Sequence, residues 1–161
     1  MSQFAPKPFS VHYGSDAVAD LRSRLKDTRF PDAVEDAGWD YGTNPQFLEK
    51  LAAHWAERFD FSADEARLNG FAQFTVEIDG EMVHYVHVKG EGDAPTPLLL
   101  ANGWPSNFVE LLPLVPLLTV PVDGRSYDII IPSLPGFGFS GKAKKLGMNL
   151  TRAAELWAQL M

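Results

Sequence analysis

The stretch LLLANGWPSN, residues 98–107, decides how this chain folds. Leu98 to Ala101 is an apolar run of the kind that forms a buried strand, and it stops abruptly at Asn102, Gly103, Trp104 and Pro105. Gly103 opens backbone conformations closed to other residues, while Pro105 holds Trp104 extended and tolerates a cis bond before it. The Trp104 amide is thereby released from the sheet ladder. At the carboxyl end of a central strand, where open α/β sheets place their ligands, such an amide can face a developing negative charge. From physics alone two readings stand: that donor, or a structural turn capped by an aromatic.

On either side of this stretch the chain alternates strand and helix. QFTVEIDGEMVHYVHVKG (73–90) is a hairpin, with Phe74, Val76 and Ile78 alternating into an Asp79-Gly80 turn and Val83 and Tyr85 returning. Phe108 to Val122 is helical but broken by prolines. YDIII (127–131) reads as a strand covered on both faces. A last helix starts near Asn149, with Leu150, Ala153, Ala154, Trp157 and Leu160 on one stripe. A hairpin followed by strand, helix, strand and helix opens an α/β sheet, and no further strand follows the last helix in this sequence.

The first seventy residues have the helical period instead. Ser15 is a candidate N-cap for a helix with Val18, Leu21 and Leu25 on one face. Asn44-Pro45 starts a second, whose stripe of Phe47, Leu48, Leu51, Trp55 and Phe59 must dock on something. Ser62 and Glu65 form a capping box for a third that stops near Asn69-Gly70. The expected organisation is a helical domain over 1–70 and an incomplete α/β sheet over 71–161.

Composition narrows the function. With 161 residues, 45% of them hydrophobic, the chain is globular. A formal charge of -7 does not provide the basic face that nucleic acids require. The absence of cysteine removes disulfides, thiolate metal sites and a Cys nucleophile. MSQFAPKPFS lacks the pattern of a signal peptide, and Glu110 with Pro113, Pro116 and Pro121 disqualifies the most apolar segment as a membrane span. A soluble, cytoplasmic chain with no membrane anchor is expected.

Three patterns invite other functions. GFGFSG (136–141) matches G-x-G-x-x-G, but prolines interrupt the strand-to-helix passage, and no second strand ending in an acidic residue follows it. His84 and His87 point to opposite faces of a strand, so all four histidines read as ordinary surface or half-buried residues and no metal is expected. No G-x-S-x-G is present, so these residues hold no serine-hydrolase elbow.

RLKDTRFPD (24–32), WDYG (39–42), LAAHWAERFDF (51–61), LNGFAQFTVEIDG (68–80), VHYVHVKG (83–90), LLLANGWPSNFVELLPLVPLL (98–118) and YDIIIPSLPGFGFSG (127–141), in this order, resemble the microsomal-type epoxide hydrolases. The resemblance implies that residues from about 5 to 70 are the family's N-terminal helical domain and that an α/β-hydrolase domain opens at Phe71. It implies hydrolysis of an epoxide to a vicinal diol without a cofactor. In the family an Asp nucleophile opens the ring, two lid tyrosines assist the leaving oxygen, and a His with an acidic partner activates water against the ester. The family's His-Gly-Trp-Pro motif falls on Asn102 to Pro105. The Trp104 amide is then the oxyanion donor and its indole lines the pocket, with Asn102, Gly103 and Pro105 around it.

This sequence departs from the family by carrying Asn102 where the motif has His. The family's nucleophile follows the next strand, beyond the last helix here, and its other catalytic groups come later still. None of Tyr13, Tyr41, Tyr85 or Tyr127 matches a lid tyrosine. The expectation is a chain inactive by itself that meets a small-molecule epoxide only when completed by the missing half. A non-catalytic module that binds a partner through the exposed edge of its sheet is the second expectation.

Overall fold

A computed structural model describes residues 5–161; residues 1–4, the start of the segment read as lacking a leader, lie outside them. The elements in chain order are β1 (Lys7–Phe9), α1 (Ser15–Lys26), α2 (Pro45–Glu57), α3 (Phe61–Asn69), β2 (Gln73–Ile78), β3 (Glu81–Val88), β4 (Thr96–Leu99), a 3₁₀ helix (Phe108–Leu114), α4 (Val115–Thr119), β5 (Tyr127–Pro132) and α5 (Leu150–Leu160). They form two compact units: Val11–Arg67, and Leu68–Met161 together with the segment ending at Ser10.

In the helical unit α1 packs on α2. Gly14, not Ser15, is the N-cap of α1 and offers no side-chain bond; the Ser15 hydroxyl lies 3.5 Å from the neighbouring Asp16 carboxylate instead. Asn44 does cap α2, accepting the Phe47 amide at 2.9 Å, with Pro45 in the first turn where its missing N–H costs nothing. The inward stripe of α2 is rotated from the expected one. Ala56 is buried and Leu48 and Ala52 are half-buried, whereas Phe47, Leu51 and Trp55 are 48%, 48% and 42% exposed.

The capping box expected at Ser62 and Glu65 does not form. Asp60 caps α3 by accepting the Ala63 amide at 2.9 Å, because the helix begins one residue before Ser62. Glu65 accepts the backbone amide of Tyr13 at 2.7 Å, and the Tyr13 phenol donates to Asp64 at 2.9 Å. Burial, reinforced by that carboxylate, pushes the phenol up to about 12.

The second unit is a five-stranded sheet of order β1-β2-β3-β5-β4, antiparallel except for the parallel pair β4 and β5. β1 was not foreseen: three residues beside prolines carry no period, and Lys7 pairs with Thr75 far along the chain. The hairpin turns as expected, Asp79 and Gly80 taking φ of 53° and 85°, the left-handed pair of a type I′ turn.

One face of the hairpin is covered by α5. Val76, Ile78, Val83, Tyr85 and Leu156 form a buried cluster, with Trp157 and Leu160 packed against it. Asn149 caps α5 through the Arg152 amide at 2.9 Å. The anchor of this helix is Leu156, absent from the expected stripe, while Leu150 is 78% exposed and Ala154 also faces outward. Arg152 reaches the turn residue Asp79 at 2.8 Å, so the helix is tied to the hairpin at its polar rim as well.

β4 begins two residues earlier than the expected Leu98. The Thr96 amide donates to the Ser126 carbonyl and the Leu100 amide to the Ile130 carbonyl, both at 2.9 Å. By alternation Pro97 and Leu99 turn their backbone outward, so the outer edge of β4 lacks one N–H where Pro97 stands. Among the described residues no strand pairs with that edge, and no helix is long and apolar enough to cross a membrane.

Candidate oxyanion loop and the polar node beneath it

β4 and β5 run parallel, so the loops that leave them emerge at the same end of the sheet. After β4 comes Asn102 to Pro105. The Asn102 side-chain amide and the Ser106 backbone amide both donate to the Gly103 carbonyl, each at 3.0 Å. That carbonyl belongs to the same planar peptide as the Trp104 N–H, which must point the opposite way. Fixing the oxygen therefore aims the hydrogen. Among the described residues the Trp104 N–H has no acceptor.

The Trp104-Pro105 bond is cis, as the Pro permits. Gly103 lies outside the left-handed region, and a Cβ there would meet nothing within 4 Å, so neither φ nor packing among these residues requires the glycine. The Trp104 side chain is 81% exposed. Asn102 stands where the resembled motif has His and spends its amide on the next residue's carbonyl.

Behind these loops lies a group that the sequence reading missed. His84, taken as an ordinary surface or half-buried histidine, is completely buried on β3. Its Nδ1 lies 2.9 Å from the Ser133 hydroxyl and its Nε2 3.0 Å from Gln73 Oε1. Gln73 spends its own N–H on the Leu68 carbonyl at 2.8 Å, so its Oε1 accepts, Nε2 of the histidine carries the proton, and Nδ1 accepts from Ser133. Phe9, Phe108 and Phe139 surround the ring with centroids at 5.0, 4.9 and 5.3 Å. Burial lowers the imidazole to about 4, which keeps it neutral.

The glycine-rich loop after β5 closes over this node. The Ser140 hydroxyl donates to the Ser133 carbonyl and accepts the His84 backbone amide, both at 2.9 Å. The Gly141 amide donates to the Met82 carbonyl at 2.9 Å, fastening the loop to β3. Gly138 is left-handed at φ 52°, and a Cβ there would sit 2.7 Å from the Ser133 hydroxyl. These contacts account for the spacing of GFGFSG by internal packing. The one signal for the node was a His in a run of β-branched and aromatic residues, and its partners lie 11 and 49 positions away.

The family described as "Epoxide hydrolase N terminus" matches residues 6–111, the whole of the helical unit and the sheet through the Trp104 loop. This chain belongs to the epoxide hydrolase family. Its sequence relatives include a Stigmatella aurantiaca protein, 38% identical over 96% of this chain and itself an epoxide hydrolase by assignment, and epoxide hydrolase 1 of Oryctolagus cuniculus, 34% identical over 96%. The chain covers 36% of the length of each, little more than a third. The crystal structure of juvenile hormone epoxide hydrolase from Bombyx mori superposes with a TM-score of 0.90 and 31% identity over 99% of this chain and 44% of that one. Aspergillus niger epoxide hydrolase gives 0.83 and 30% over 98% and 42%. The five-stranded sheet of this chain is accordingly part of an α/β-hydrolase fold.

Proposed function

We propose that residues 1–161 supply the oxyanion side of an enzyme that hydrolyses a small-molecule epoxide to a vicinal diol. An Asp carboxylate attacks an epoxide carbon, the C–O bond breaks, and the ring oxygen leaves as an alkoxide that is protonated to a hydroxyl. Water, giving up a proton to a His base, then adds to the carbonyl carbon of the resulting ester, and the negative charge develops on that carbonyl oxygen. Collapse of that intermediate expels the second oxygen, which takes the proton back from the His, so the diol is released and the carboxylate restored.

The observation that carries this reading is the Gly103 carbonyl held by two donors at 3.0 Å. It leaves the Trp104 N–H oriented and, among the described residues, without an acceptor at the carboxyl end of β4, as an oxyanion donor must be before the charge appears. One such donor is worth ~3 kcal/mol in the transition state. Asn102 secures the carbonyl in the place of the family's His.

In this reading the nucleophilic Asp, the lid tyrosines and the His with its acidic partner lie beyond the residues present. The 161-residue chain alone therefore leaves an aryl epoxide such as styrene oxide unchanged above the buffer rate. Chromatographic measurement of diol formation checks this; turnover that disappears on Trp104→Pro contradicts it.

A second reading is favoured by one observation, the unpaired outer edge of β4. A non-catalytic module that pairs this edge with a partner assembles in a concentration-dependent way. A sharp monomer by size-exclusion chromatography at high concentration counts against it.

A further inference from the structure

The polar node has no role in the chemistry above, yet Phe108, just beyond the Trp104 loop, and the glycine-rich loop both rest on it. We infer that His84 is a positioning residue: set between Gln73 and Ser133, its imidazole holds the Phe108 ring at the foot of the Trp104 loop and the glycine-rich loop in one fixed relation. The oxyanion role of the Trp104 loop, on which the functional meaning of this inference rests, is that of the preceding section. The coupling itself is a property of the fold.

The path is short on both sides. Toward the Trp104 loop, Phe108 is 2% exposed and meets the imidazole edge-on at 4.9 Å. Only Asn107 separates it from Ser106, whose amide helps to fix the Gly103 carbonyl at 3.0 Å. Toward the glycine-rich loop, Ser133 binds Nδ1 at 2.9 Å while its carbonyl receives the Ser140 hydroxyl at 2.9 Å. Phe139 of that loop contacts both the imidazole and Phe108, at 5.3 and 5.9 Å. Phe108, two residues beyond Ser106, and Phe139 of the glycine-rich loop therefore touch the same ring, and Ser133, which leads into that loop, binds it by one hydrogen bond that needs the Nε2–H tautomer.

The groups that face the imidazole are Gln73 from β2, Ser133 after β5, Phe9 from β1, Phe108 from the 3₁₀ helix and Phe139 from the glycine-rich loop. None of these is charged. A proton placed on Nδ1 meets the Ser133 hydroxyl, which must then turn its own hydrogen away, and no carboxylate among these groups offsets the charge. Protonation therefore presses on the joint between the loops.

The experiment is amide NMR and hydrogen exchange on the 161-residue chain. His84→Phe keeps a ring and removes both ring hydrogen bonds; His84→Gln restores a donor toward Gln73. Val76→Ala, in the separate cluster under α5, is the control for lost stability alone. His84→Phe is expected to speed exchange at Ser106 and Phe137 by about tenfold or more beyond the control, with His84→Gln between the two. Equal exchange in His84→Phe and the control overturns the inference.

Where His84→Phe does not fold, the unmodified chain decides. On acidification the Gly103, Trp104, Ser106 and Gly138 amides are expected to move together with the His84 ring proton, with a midpoint near about 4. Val76 and Ile78 are expected to stay still. A ring that titrates without the loops, a midpoint at the ordinary histidine value, or movement of every amide together each overturns it. Loss of the epoxide reading, seen as a completed protein that forms no diol, leaves these loop signals unaffected, so the two failures are told apart.

Discussion

A Cβ on Gly138 would stand 2.7 Å from the hydroxyl of Ser133, the same hydroxyl that binds His84 at 2.9 Å. The second glycine of the nucleotide-like pattern is thus needed by the polar node, both for space and for its φ of 52°. Gly138→Ala is expected to cost about 2 kcal/mol or more in urea denaturation, from left-handed strain added to the clash. Gly103→Ala, where a Cβ meets nothing, is expected to stay within about 0.5 kcal/mol. Equal costs at the two positions contradict the packing account of the loop.

His84 makes stability depend on pH in a defined direction. Its folded value of about 4 lies below the ordinary histidine value of 6.5, so between these the unfolded chain takes up a proton that the folded chain refuses. The contribution is complete above 6.5, declines as pH falls, and is gone below about 4, amounting to ~3 kcal/mol over the window. Urea denaturation at steps through this range, in the unmodified chain and in His84→Gln, checks it. The steeper decline belongs to the unmodified chain; parallel curves mean that His84 is not the titrating group.

The packing of α5 is tested by two leucines of equal size. Leu156 is fully buried and Leu150 is 78% exposed. Leu156→Ala is expected to cost about 3 kcal/mol and Leu150→Ala less than about 0.5 kcal/mol, by denaturant midpoints at constant slope. The reverse order restores the stripe that the sequence period suggests.

What the sequence made legible was local. Asp79-Gly80, Asn44-Pro45 and Asn149 act within a few residues of themselves, and their turn and helix starts stand where they were expected. Ser15 and Ser62 failed as caps because Gly14 and Asp60 occupy the cap positions, a shift of one or two residues that composition does not resolve. β1 and the burial of His84 depend on partners far along the chain, so no local period signals them. The Trp104 loop lies between these cases. Pro105 announced its geometry, but the two donors that aim its peptide appear only in the folded arrangement.

As proposed above, the Trp104 N–H stabilises an oxyanion in epoxide hydrolysis. The most direct test is a chimera in which residues 1–161 replace the matching third of the Stigmatella aurantiaca relative, with the Gly103–Trp104 amide exchanged for an ester linkage that removes only the N–H. The expected result is a chimera that forms diol from an epoxide, and an ester-linked form whose kcat is lower by about a hundredfold or more. A folded, diol-forming chimera whose rate survives the loss of that N–H contradicts the claim.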